Sequence, residues 1–198
     1  MSRQRHAGRS ALLATLALGL LLAPPVKHAL ESSMTMQMLL QLPLLVGVGY
    51  ALAIALPAKA LARAAPWNRF GLTGLVLVSV VGALWMLPRA LDASVTEPLV
   101  GAAKYMSLPL LIGLPLALSW PHMNFIVRGV FLLEGIATCF RLGWLYLISP
   151  DRLCALYLLD DQRRLGQYLL VIGAALLLAV AGKLLWGRFD AADAAAPK

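Results

Sequence analysis

The chain has 198 residues, of which 61% are hydrophobic and only 13% charged, with a formal net charge of +8. That balance, with a mean hydropathy of +0.80, excludes a disordered tail and a conventional soluble enzyme and leaves a membrane protein. Two cysteines, Cys139 and Cys154, are too few to staple a fold, and basic residues scattered singly between apolar runs do not make a nucleic-acid surface.

Crossing the hydrocarbon core as a helix takes roughly 20 apolar residues. Six runs meet that need, near 10 to 26, 34 to 56, 70 to 87, 99 to 120, 125 to 148 and 165 to 186. They are continuous rather than alternating, which rules against membrane strands. The expected fold is an all-α, polytopic transmembrane helix bundle of about six spans, one integral-membrane domain over residues 1–198. The first run follows Arg3, Arg5 and Arg9 as a secretory signal would, but no small-x-small cleavage site comes after it, so it reads as a retained anchor.

With the N-terminus in the cytoplasm, the inner regions hold ten basic residues against two acidic, and the outer ones six against six, Lys104 and Glu31 among them. This is the positive-inside pattern, and it places the basic N-terminus (1–9) and the polar tail (187–198) both in the cytoplasm. The connectors are short, with no repeat beyond hydrophobic similarity and no room for a soluble catalytic domain, so the chain is not expected to be an enzyme.

Along the chain, soft ligands gather at the outer ends of the spans. Met34 and Met38 open the second span, Met86 closes the third, Met106 begins the fourth, and His28 lies in the preceding connector. Thioether and imidazole select Cu(I), whereas hard cations need clustered oxygen. On a helix Met34, Gln37, Met38 and Gln41 share one stripe, with Met36 pointing elsewhere. Any single methionine is more ordinarily a gap filler, and His28 a solvated interfacial residue. None of the three histidines lies at mid-span, which excludes bis-histidine haem ligation.

The fifth run carries Glu134, Thr138 and Arg141 at i, i+4 and i+7. Acid and base are then roughly 10 Å apart along the axis, too far to pair without long side chains or a bridge, and both are expected to face the bundle interior. Glu134 could carry protons or guide a cation, with Arg141 setting the field; alternatively other helices or a partner subunit neutralise both. After Pro150 a short helix from Asp151 to Leu159 is expected to hide Cys154. Asp160, Asp161, Gln162, Arg163 and Arg164 open the last run, where the carboxylates cap the helix and the group could also dock another protein. Gly71 and Gly74 suit close packing on one helix face, whereas Gly47 and Gly49 point in different directions.

Two stretches resemble a known family. Met34 to Gly47 (MTMQMLLQLPLLVG) is similar to the Met- and His-rich helix of the CtaG-like membrane proteins that assist cytochrome c oxidase assembly, and Asp160 to Leu170 (DDQRRLGQYLL) resembles their Asp-Gln element before a late helix. The resemblance covers 25 of 198 residues and departs from the family where Gln37 stands in place of histidine. It implies an assembly or copper-delivery role, with Met34, Met38, Asp161 and Gln162 as matching positions.

Three functions compete. The first is an inner-membrane assembly factor that takes Cu(I) on the periplasmic face through Met34 and Met38, with Met86, Met106 and His28 completing the set, and passes it from periplasmic copper carriers towards oxidase subunits. The second is a metal-free accessory or scaffold subunit of a respiratory complex. A small proton- or cation-coupled transporter using Glu134 is third, because the sequence shows no inverted repeat or matched pair of broken helices.

Overall fold

The computed structural model describes residues 2–64, 66–68 and 70–186; the polar tail read at 187–198 lies outside the described residues. It is helical throughout its regular elements. Where the sequence suggests one domain, the chain divides into two compact units, residues 1–122 with 154–156, and residues 123–153 with 157–198.

In the first unit, α1 (Ser2–Leu22) ends at Ala23, where Pro24 and Pro25 remove the next backbone donors, and α2 (Pro24–Leu30) leaves at 74°. The Ser33 hydroxyl accepts from Met36 N and caps α3 (Met34–Ala55). A π-turn over Gln37–Gln41 lies within α3, just before Pro43. The short α4 (Ala58–Ala64) and a connector lead to α5 (Leu72–Trp85), and α6 (Pro88–Thr96) departs from it at 71°. Next, α7 (Pro98–His122) carries a second π-turn, Leu108–Gly113, before Pro115. The long helices α3 and α7 cross at glycine: a Cβ on Gly49 would fall on the Pro109 carbonyl, and one on Gly113 on the Val46 carbonyl. Gly47, two residues away, faces open space, as its helical offset requires.

This unit overturns the expectation of a chain without repeats. Its elements run twice in the same order: a helix, a break of more than 70°, a short helix, then a long helix interrupted by a π-turn. The sequence follows. Leu42 to Gly47 reads LPLLVG and Leu108 to Gly113 reads LPLLIG, while Ala29 to Ser33 (ALESS) matches Ala90 to Ser94 (ALDAS). Residues 8–55 and 71–122 are therefore two copies of one plan. Apolar composition hid the repeat because similarity between hydrophobic runs is expected by chance; the same order of break, short helix and long helix with a π-turn, occurring twice, is not.

The second unit is a hairpin of α8 (Phe125–Ile148) and α9 (Leu159–Trp186). Asn124 caps α8 by accepting from Val127 N. The helices touch where Gly143 and Gly166 face each other: a Cβ on either would come within 2.9 Å of the other's carbonyl oxygen. The helix expected over Asp151–Leu159 does not form. The connector runs as a series of bends up to Leu159, held by Gln162 instead.

Among the described residues, helices α3, α7 and α9 are long and apolar enough to cross a membrane, and counting each bent pair as one span gives up to five. The fifth predicted run, α8, is not among them; Arg128, Glu134 and Arg141 interrupt it.

Candidate functional site

The polar groups of the first unit converge on one place, between its two copies. Gln37 and Gln41 are both fully buried in the first π-turn. Opposite them on α7, Lys104 has 0% of its side chain exposed and donates to Glu31 Oε1 at 2.8 Å, the carboxylate itself being 6% exposed. The same ammonium donates to Gln41 Oε1 at 3.0 Å. Gln41 turns its amide nitrogen to the Tyr105 hydroxyl (2.8 Å) and to Glu31 (3.3 Å), and the Tyr105 hydroxyl donates onward to the Leu21 carbonyl at 3.2 Å. Gln37 donates to the Ser94 hydroxyl at 3.3 Å, which in turn donates to the Leu91 carbonyl at 2.7 Å. Lys104 and Lys27 stand 5.4 and 5.9 Å from the centre of the Tyr105 ring.

Each link has a reason. An ammonium and a carboxylate removed from water are tolerable only when paired and hydrogen-bonded, and the glutamines satisfy what the pair leaves over. Every one of these bonds except Gln41 to Glu31 and Ser94 to Leu91 ties residues 8–55 to residues 71–122.

The Met34 stripe is half of this site. Met34 is wholly buried and Met38 half-buried, and Gln37 and Gln41 face inward with them. The rest of the soft-ligand set is elsewhere: Met86 is 40% and Met106 63% exposed, and His28 is exposed. The amide oxygen meant to stand beside a copper ion already holds the Lys104 ammonium. Of the donors expected for Cu(I), Met34 and Met38 thus share an inward face with the glutamine that holds the Lys104 ammonium, while Met86, Met106 and His28 are exposed. Among the described residues no three His, Cys, Asp or Glu side chains come together.

Lys104 and Tyr105 were the residues that sequence reasoning missed, whereas Glu31 stands just upstream of the Met34 stripe that was read as able to hold an ion. Lys104 and Glu31 counted as outer-face charges, although Lys104 sits well inside the run from 99 to 120. That position was the available signal, since a lysine within a span needs an acid.

In the second unit the Glu134–Arg141 expectation is corrected in one respect, the direction the charges face. The long arginine side chain does reach the acid directly, and it also donates to the Thr138 hydroxyl at 3.1 Å. Both charged side chains are 62% exposed rather than turned inward. Gln162 has a structural part: it accepts from Leu153 N at 2.9 Å and donates to the Tyr146 carbonyl at 3.3 Å, which closes the hairpin. Asp161 is half-buried in the first turn of α9 and Asp160 is exposed there.

Cys154 is buried, as expected, though on a bend rather than a helix. Burial, then the adjacent Asp92 carboxylate, pushes its thiol up to about 12. Cys139 is half-buried within α8.

No family model, no curated protein and no solved structure matches this chain.

Proposed function

We propose that the chain is a bacterial inner-membrane assembly factor or accessory subunit of a respiratory oxidase that works by docking on a partner's membrane helices and carries no metal of its own. Its six hydrophobic runs all cross, with both termini in the cytoplasm. The observation that supports this most is the Glu134–Arg141 pair, bridged by Thr138, with both charged side chains 62% exposed on a 24-residue helix. Lipid solvates an ion pair poorly, at about 2.5–3.5 kcal/mol for each central charge on insertion scales, so a stripe of this kind is stable in a membrane only when a polar face covers it. A second copy related by an axis along the membrane normal would set Glu134 against Glu134 and Arg141 against Arg141. The charges thus favour a heterologous helix that presents base and acid in the reverse order. The similarity of Met34 to Gly47 and Asp160 to Leu170 to oxidase-assembly proteins supports the choice of partner.

The test replaces Glu134 and Arg141 together by leucine, which leaves an apolar helix that still inserts. Membranes of the variant should lose co-migration of the chain with the oxidase on native gels and show less assembled oxidase by haem absorbance. Undiminished co-migration and haem would end this reading. Cu(I) handling remains a second reading on one observation, the buried Met34 beside half-buried Met38. Competition against a colorimetric Cu(I) chelator should be the same for the native protein and for Met34→Leu with Met38→Leu if no copper is held there.

A further inference from the structure

We propose that the Glu31–Lys104 pair is a proton-operated latch between the two copies in the first unit, and that the ligand of this interface is a proton. Three observations meet here. The copies each contain a broken helix in the corresponding place, bent by 74° and 71°, the arrangement that marks binding sites at repeat interfaces in membrane carriers. Their long helices each carry a π-turn beside the interface, a helix form that recurs at functional positions. The cross-copy polar bonds are gathered at the end that bears α2 and α6, while the glycine contact of α3 and α7 lies further along both helices.

The chemistry sets the direction. With Glu31 ionised, the buried Lys104 ammonium has its counter-charge and the interface is closed. A proton from water that adds to Glu31 leaves the carboxyl group uncharged and Lys104 as a buried ammonium with no counter-ion. That state disfavours the closed interface specifically, because an unpaired charge must regain water. The copies then part at the latch end and stay together at Gly49 and Gly113. The groups at Glu31 are Lys104 of α7 and Gln41 of the α3 π-turn; beyond Gln41 lies Tyr105 of α7, with Lys27 of α2 5.9 Å from its ring and the Leu21 carbonyl of α1 accepting from its hydroxyl. None of them replaces the carboxylate.

Nitroxide labels on the exposed Ala29 of α2 and Val95 of α6, in full-length protein with Cys139 and Cys154 replaced by alanine, report the distance between the copies by double electron–electron resonance. A longer-distance population should appear when the sample is moved from pH 8 to acid. Glu31→Gln, which fixes the carboxyl neutral, should show that population at pH 8. Glu31→Gln with Lys104→Met removes both charges and should keep the short distance at every pH. One unchanged distance in acid for the native sequence overturns the latch, and so does a long distance in the doubly neutral variant. Should the Glu31→Gln variant fail to fold, the acid arm on the native sequence decides alone.

Discussion

Lys104 shows how far one side chain can set the character of a membrane bundle. Removing its partner leaves a buried charge, whereas removing both charges leaves an amide-lined core, so single and double changes are expected to differ in kind. Glu31→Leu alone should cost roughly 3–5 kcal/mol of stability, and adding Lys104→Met should recover most of it. Chemical denaturation in detergent measures this, and equal losses from the single and double variants would show that the pair is not coupled. Cys154 makes the opposite case, a reactive type rendered inert. Burial pushes its thiol up to about 12 from the ordinary 9.0, a shift that would lower the thiolate fraction at neutral pH by about a thousandfold. Alkylation of folded protein at pH 8 should therefore be slower than that of denatured protein by at least this order. The sign for stability follows: a raised folded pKa favours the protonated fold, so this contribution is intact below pH 9 and fades as pH climbs towards 12.

Helix contacts in both units depend on missing side chains. Gly49, Gly113, Gly143 and Gly166 allow backbone to approach backbone, the usual route to tight packing where lipid gives no hydrophobic drive between helices. Gly143→Ala and Gly113→Ala should each destabilise by about 1–3 kcal/mol, the common cost of overpacking. Gly47→Ala should be neutral or slightly stabilising, because its site is open and alanine favours helix. Thermal unfolding of the three variants checks the contrast, and a loss at Gly47 equal to that at Gly113 would contradict the crossing described. Much at this scale was legible in the residues. Apolar run lengths located the helices, and the 3.6 period put Met34, Gln37 and Gln41 on one inward face. What stayed hidden was the match across the chain. Lys104 and Glu31 are 73 positions apart, and local periodicity carries no information on which helix faces which. Gly71 misled for a related reason: it adopts a left-handed φ of 71° ahead of α5, outside the helix, so it does not share a helix face with Gly74, which packs against Ser119.

At the scale of the molecule, duplication explains why the polar core lies where it does. Two copies of a helix pair, each with an apolar outer surface, need a specific meeting face, and buried hydrogen bonds fix register better than apolar contact does in lipid. If each copy is a folding plan in its own right, the covalent link between them is dispensable. The connector after α4 is the place to cut, but Asn68 must stay with the second copy: it donates to the Ser119 hydroxyl at 2.8 Å and accepts from Gly74 N at 3.1 Å. Residues 1–65 and 66–198 expressed as separate chains should therefore assemble in the membrane and co-purify through a tag on either one. A break placed after Leu30 should not rejoin, because it severs a copy internally and frees Glu31 from α2 next to the lysine it neutralises. Equal recovery from the two cuts would show that the repeat is a resemblance of sequence alone, without the independence that matched elements imply.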